Sequence, residues 1–154
     1  MKAMKPIYTI GYGNRSMSEF IQILRQYHIV FLIDVRSRPT SRSQPEYSRQ
    51  QLEYMLKLAN VRYVFLGDAL GDSPRDKRGY TNGQVDYAKV QKQLYFQRGI
   101  KKVQNAWEQR VPVMIMCSEP KPEECHRSAL VGEALARLNI PVMHIDHDNE
   151  LVEH

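Results

Sequence analysis

Short apolar runs alternate along the chain with longer stretches whose apolar positions recur every three or four residues, which predicts a mainly parallel sheet covered by helices. Five runs read as strands: residues 6–10, 30–35, 61–66, 112–117 and 141–145, each with the β-branched or aromatic residues that suit a pleated surface. A helix over 18–27 places Phe20, Ile21, Leu24 and Tyr27 on one face, and Ser16 followed by Glu19 has the spacing of a capping box. Residues 48–59 repeat the pattern with Leu52, Met55, Leu56 and Ala59, and residues 99–110 with Ile100, Val103, Ala106 and Trp107. A last helix follows Cys125, buries Ala129, Leu130, Ala134, Leu135 and Leu138, and stops near Asn139, with Pro141 barring its continuation. The expected fold is a three-layer α/β domain over 1–154, a sheet of about five mainly parallel strands with helices on both faces.

One stretch breaks the scheme. Residues 67–84, GDALGDSPRDKRGYTNGQ, carry four glycines and no apolar period. Loops of that length are usually functional, and the expectation here is a lid or binding loop.

Composition narrows the class more than the activity. With 42% hydrophobic and 25% charged residues, a chain of 154 residues has enough core to fold as one domain and is too apolar to be disordered. No apolar run approaches the roughly 20 residues of a membrane span, and the start MKAMKPIYTIGYG lacks the pattern of a signal peptide, so the expected address is the cytoplasm. Two cysteines in one loop do not make the framework of a secreted disulfide protein, and reduced thiols are expected. The net charge of +5 is a mild pointer to phosphate-bearing partners.

In an open parallel sheet the loops leaving the carboxyl ends of the strands share one edge, where ligands bind. Three such loops carry the chemistry: Gly11 to Ser16, Asp34 to Ser43, and Cys117 to Arg127. They bring Arg15, Arg36, Arg38, Arg42 and Arg127 with small hydroxyl residues such as Ser37 to that edge, and planar guanidinium forks suit phosphate or carboxylate. An anion-binding cleft is expected. Gly11 and Gly13 either let a ligand approach the main chain or only turn it, since GYGNRS lacks the GxGxxG spacing. Asp34 precedes Arg36 by two residues on the same strand face, and is read as a general base, an orienter of Arg36, or half of a structural ion pair.

The thiols are the other candidates. Cys117 ends a strand, where it is a small buried hydrophobe or a nucleophile. Cys125, beside His126 and Arg127 at a helix start, has the surroundings that stabilise a thiolate. A zinc site from Cys117, Cys125 and His126 fits common spacings poorly, and neither a metal nor a cofactor is called for. Asp146, His147 and Asp148 follow the last strand on the same edge.

Taken in order, Thr9-Ile10-Gly11-Tyr12-Gly13, Asp34-Val35-Arg36-Ser37 with Pro39 and Ser41, Leu66-Gly67 with Leu70-Gly71, and Cys117-Ser118-Glu119 with Pro122 and Cys125-His126-Arg127 resemble the family catalogued as domain of unknown function 488. The resemblance covers nearly the whole chain and implies an α/β domain without an established activity. Gly67-Asp68-Ala69-Leu70-Gly71 departs from it by lacking an adjacent glycine pair. A remoter likeness, of topology alone, links Cys117 and Arg127 to the loops of rhodaneses and cysteine phosphatases, although nine residues between them make a longer loop than those.

The leading expectation is an enzyme acting on a phosphate-bearing substrate, a nucleotide or nucleic acid, with Gly11, Gly13, Arg15, Arg36, Ser37, Arg38 and Arg127 binding it and Asp34, Cys117, Cys125 and His126 as the catalytic candidates. The alternatives are a non-catalytic nucleic-acid or nucleotide binder and a rhodanese-like sulfur or phosphoryl transferase.

Overall fold

A computed structural model describes residues 5–154. The core of the sheet is β1 (Ile7–Gly11), β2 (Phe31–Asp34) and β3 (Arg62–Phe65) from the first half of the chain, with β6 (Val113–Cys117), β7 (Val142–Ile145) and β8 (Leu151–Glu153) from the second. A separate two-residue hairpin supplies β4 (Tyr80–Thr81) and β5 (Gln84–Val85). The six-stranded sheet runs β3-β2-β6-β1-β7-β8, and every pairing is parallel except that of β8 with β7. All five expected strands are present, in a mixed sheet with helices, as an α/β layered architecture requires.

The sheet is buried on both faces because its residues alternate between two apolar layers. In β6, Val113, Ile115 and Cys117 face one layer while Met114 and Met116 face the other, and all five are buried. The second layer is closed by α1 (Met17–Gln26), through Phe20 and Leu24, and by α2 (Arg49–Leu58), through Leu52 and Leu56. The first is closed by α5 (Leu94–Glu108), through Phe96, Ile100 and Val103, and by the last helix, through Leu130, Val131 and Leu135. Ser16 caps α1, its Oγ accepting from the Glu19 N–H at 3.1 Å.

Three details differ from the pattern reading. α5 begins at Leu94, five residues before Gly99, and Gly99 serves as a flat seat for α3 (Gly67–Leu70), since a Cβ there would lie 2.8 Å from Leu70 Cδ2. Residues 67–84 are not bare loop: they hold α3, a 3-10 turn at Lys77–Gly79 and the β4–β5 hairpin, and α4 (Tyr87–Gln91) follows. The last helix starts as a π-helical stretch, Arg127–Gly132, and continues as α6 (Glu133–Arg137). Wide turns of that kind often occur at functional sites.

The parallel strands put the carboxyl ends of β1, β2, β3 and β6 on one edge. Residues leaving β2 and β6 there come from both faces of the sheet, with Asp34 among the residues of the α1/α2 side and Cys117 on the other. They meet only past the strand ends.

Candidate functional site

A cleft of about 460 Å³ opens at that edge, lined by Tyr12, Arg36, Ser37, Arg38, Cys117, Cys125 and His126 together with Asp72, Ser73 and Tyr87. Gly67 and Gly71 let the following segment lie directly on the cleft wall: a Cβ on Gly67 would stand 1.9 Å from the Arg36 carbonyl oxygen, and one on Gly71 2.1 Å from Ser37 Oγ. Ser37 Oγ then accepts from the Ser73 N–H at 2.8 Å, which ties that segment down beside the cleft.

Arg36 is the fixed cation of this wall. Its Nε donates to Asp34 Oδ1 at 3.0 Å and its Nη2 to Oδ2 at 2.8 Å, a two-pronged pairing with both side chains buried. The Arg36 backbone N–H also donates to Asp34 Oδ1, and the Tyr63 hydroxyl donates to Oδ2 at 2.6 Å. Burial and then the adjacent Asp34 charge raise the Tyr63 pKa, so the phenol keeps the proton it donates. The Tyr12 ring lies under the guanidinium at 5.4 Å and itself stacks on Tyr47 at 4.1 Å. Among the described residues, Arg36 Nη1 is the buried side-chain nitrogen with no hydrogen-bond partner. Two of its three guanidinium nitrogens are thus fixed by Asp34, and the third is buried without a partner.

Asp34 is fully buried, with four donors on its two oxygens. The orienter reading fits this geometry and the general-base reading does not: the carboxylate is turned away from solvent and its acceptor sites are occupied.

In the same cleft Cys125 Sγ lies 3.6 Å from His126 Nδ1, and His126 Nε2 is 3.1 Å from the Val35 carbonyl oxygen. A carbonyl only accepts, so Nε2 carries a proton and Nδ1 faces the sulfur. Nucleophile, base and orienter stand in sequence, although base and nucleophile are chain neighbours. The Arg127 backbone N–H points at the same sulfur from 3.4 Å, because Cys125 sits in extended backbone one residue before the helical turn begins. Cys117 Sγ lies 2.6 Å from Cys125 Sγ, and both cysteines are free.

The two thiols are unequal. Hydrogen bonding from Cys117, opposed by burial and reinforced by His126, pulls the Cys125 pKa below the ordinary thiol value. Burial and the same sulfur–sulfur contact push that of Cys117 up, and Arg127 Nη1 at 2.9 Å from its sulfur does not offset them. For His126, burial works against the imidazolium, and the hydrogen bond and charge of Cys125 outweigh it, so its pKa is raised. The pair thus favours negative charge on Cys125 over Cys117, and the adjacent Cys125 favours the protonated form of His126.

Two of the expected anion-binding arginines are used inside the fold. Arg127 has no exposure, and its five N–H groups are taken by Thr9 Oγ1, Cys117 Sγ, and the carbonyls of Glu119, Pro120 and Ile145. It has no donor to offer a ligand. Arg15, 7% exposed, grips the Gly11 and Asp146 carbonyls and Asn149 Oδ1. Gly11 and Gly13 likewise make room for the protein rather than for a ligand. A Cβ on Gly11 would fall 1.6 Å from the Glu119 carbonyl oxygen, and Gly13, with φ +54°, would press on Pro120 at 2.9 Å. The residues following Cys117 turn carbonyls inward to Arg127, whereas a phosphate cradle of the rhodanese or phosphatase kind turns N–H groups inward.

Arg42 is exposed and does not line the cleft. Arg36 and Arg38 remain, and they face a wall that also holds Asp72, Glu119 and Glu124. Asp146, His147 and Asp148 sit on a partly exposed turn outside the cleft; among the described residues theirs are the acidic and imidazole groups close enough to share an ion.

Pattern reading missed Tyr12, Tyr63 and Asp72. Tyr12 is flanked by the two glycines and sits two residues after Ile10, which gave a sign that its ring lies on the same face. Tyr63 carried no such signal, because its contact with Asp34 depends on the β2–β3 register, with Leu32 opposite Tyr63.

An α/β domain with a thiol–imidazole pair and a locked arginine across one cleft is the class that fold and site define. The chain belongs to the family described as Domain of unknown function DUF488, whose model matches residues 16–134. No curated protein and no solved structure matches the chain.

Proposed function

We propose that this protein is an enzyme in which Cys125 acts as nucleophile on a small phosphate-bearing substrate whose anionic group is held by Arg36. One observation carries the reading: the Cys125–His126 pair, its imidazole fixed by the Val35 carbonyl, lines the same cleft as Arg36, a buried arginine whose Nη1 has no hydrogen-bond partner. A cleft of about 460 Å³ suits a small molecule such as a nucleotide. Asp72, Glu119 and Glu124 on its walls disfavour a long polyanion, so the nucleic-acid reading is the weaker one.

The chemistry follows from the two walls. Arg36 cannot swing away because Asp34 and Tyr12 hold it, so the anion is fixed without reorganisation of the cation. The Cys125 thiolate attacks the electrophilic atom placed beside it, and the protonated His126 returns its proton to the leaving group.

The test is alkylation of the folded protein by iodoacetamide, followed by peptide mass analysis. Cys125 is expected to react rapidly at neutral pH, and inorganic phosphate to slow that reaction in a saturable way. A Cys125 that stays unmodified until the protein is denatured would end the nucleophile reading; rapid alkylation untouched by phosphate would end the anion reading.

A further inference from the structure

The second sulfur is not explained by a single nucleophile. Cys117 Sγ lies 2.6 Å from Cys125 Sγ, at the end of a central strand and deeper than its neighbour, with 2% exposure against 8%. Both sulfurs line the cleft, so a group attached to Cys125 stays within reach of Cys117. Loop and strand hold the pair together independently of any bond between the sulfurs. Arg127 fixes Cys117 through Nη1 at 2.9 Å, and its backbone N–H fixes Cys125 at 3.4 Å, so one residue positions both.

We propose that Cys117 and Cys125 are a redox dithiol that reduces small anionic disulfides by thiol–disulfide exchange, with Cys125 as attacking sulfur and Cys117 as resolving sulfur. The inference rests on Cys125 being the nucleophile of the preceding section and goes beyond it, giving the same sulfur a second reaction on another class of anionic molecule. In the first step the Cys125 thiolate attacks one sulfur of a disulfide RS–SR; a Cys125–SR bond forms, the RS–SR bond breaks, and the departing RS⁻ takes the proton held by His126. In the second step Cys117 attacks the Cys125 sulfur of that mixed disulfide. The Cys117–Cys125 bond forms, the second RS⁻ leaves, and the Cys117 proton goes with it. Two thiols have been oxidised, one disulfide has become two RSH, and the two hydrogens come from Cys117 and His126.

The inequality of the two sulfurs sets the order. The sulfur on the more open side carries the charge and a proton donor beside it, which is what an attacking thiol needs, while the buried one stays protonated until a mixed disulfide is presented to it. Arg36 and Arg38 line the same cleft as the two sulfurs and favour a disulfide with carboxylates over one with amines, against the opposing pull of Asp72, Glu119 and Glu124. The oxidised form has no Cys125 thiolate, so any other reaction of that sulfur stops until a reductant reopens the pair.

The probe is oxidised glutathione, a carboxylate-bearing disulfide, added to the full-length protein, with intact-mass analysis after acid quench. The wild-type protein should lose the mass of two hydrogens with no lasting adduct, Cys117→Ser should retain one glutathione on Cys125, and Cys125→Ser should take up none. Cys117→Ala repeats the second arm should serine at that buried site prevent folding. Cystamine, the cationic counterpart, should oxidise the wild-type protein at least tenfold more slowly. A glutathione adduct that persists on Cys125 in the wild-type protein overturns the resolving role of Cys117 and leaves the nucleophile reading standing; absence of any reaction at Cys125 overturns both.

Discussion

Arg36 grips Asp34 with two parallel hydrogen bonds, Nε to Oδ1 at 3.0 Å and Nη2 to Oδ2 at 2.8 Å, and this leaves its buried Nη1 without a partner. The pair converts a flexible side chain into a fixed donor. Its consequence for stability is direct: Asp34→Asn leaves a buried guanidinium without its counter-charge, and should destabilise the fold by about 3–5 kcal/mol. Urea unfolding with an unchanged m-value measures it. Tyr63→Phe removes one bond to the same carboxylate and should cost less, about 1.5–3 kcal/mol.

Gly11 is fixed by contact rather than by backbone angle. A methyl group there meets the Glu119 carbonyl oxygen at 1.6 Å and Arg127 Nη1 at 2.6 Å. Gly11→Ala should therefore displace the loop after Cys117 and lower stability by about 3 kcal/mol or more, visible as a large drop in Tm. A Gly11→Ala protein as stable as the wild type would mean that the loop does not pack on β1.

Reactivity of Cys125 should persist at pH values where ordinary thiols are protonated. Its folded-state pKa is depressed, by the Cys117 hydrogen bond first and then by His126, so the thiolate survives as the pH falls below the usual thiol range of about 8.5. The groups around it are Cys117 from β6, His126 and the Arg127 amide, with Asp72 and Tyr87 across the cleft. The alkylation rate plotted against pH should stay nearly flat between neutrality and about pH 6, and His126→Gln should shift the curve upward toward ordinary thiol behaviour.

His144 contributes its own share to the pH dependence of stability. Burial first, then the Arg127 guanidinium and His154, depress the His144 pKa to about 4. Between that value and the unfolded value of about 6.5 the unfolded chain binds more protons, so stability rises with pH across the window and is lost as the pH falls through it. This share should make the fold roughly 1–2 kcal/mol less stable near pH 5 than near neutrality, so His144→Gln should reduce the measured pH 5 to pH 7 difference by about that amount. Its Nδ1 lies 2.5 Å from Thr9 Oγ1, the same hydroxyl that accepts from Arg127, so the substitution also weakens the support beneath the loop.

Much of this fold was readable from the strand and helix periods, and the site only in part. The five long strands are apolar runs, whereas β8 is three exposed residues placed by a turn in which Asp146 Oδ1 accepts from the N–H groups of Asp148 and Glu150. A short exposed edge strand has no hydrophobic pattern to read. The cleft edge was predictable from the parallel order, and so was the meeting of Arg36, Ser37, Arg38, Cys125 and His126 there. Arg127 lies inside the fold despite its charge because it stands three and four residues before Leu130 and Val131, on the buried stripe of its own helix. The pairing of Cys117 with Cys125 depends on how the loop closes over Arg127, which residue spacing does not encode.

Whether Arg36 presents an anion to Cys125 is reported by the relative rates of alkylation by anionic iodoacetate and neutral iodoacetamide. Both reagents transfer similar groups to the same sulfur, so their ratio isolates the charge at the cleft. The wild-type protein is predicted to favour iodoacetate over iodoacetamide at Cys125 at least tenfold more than free glutathione does, and the Asp34→Asn/Arg36→Gln double variant, which leaves no unpaired charge behind, should lose that preference. A ratio in the wild-type protein equal to that of free glutathione, or one unchanged in the double variant, would contradict that role of Arg36.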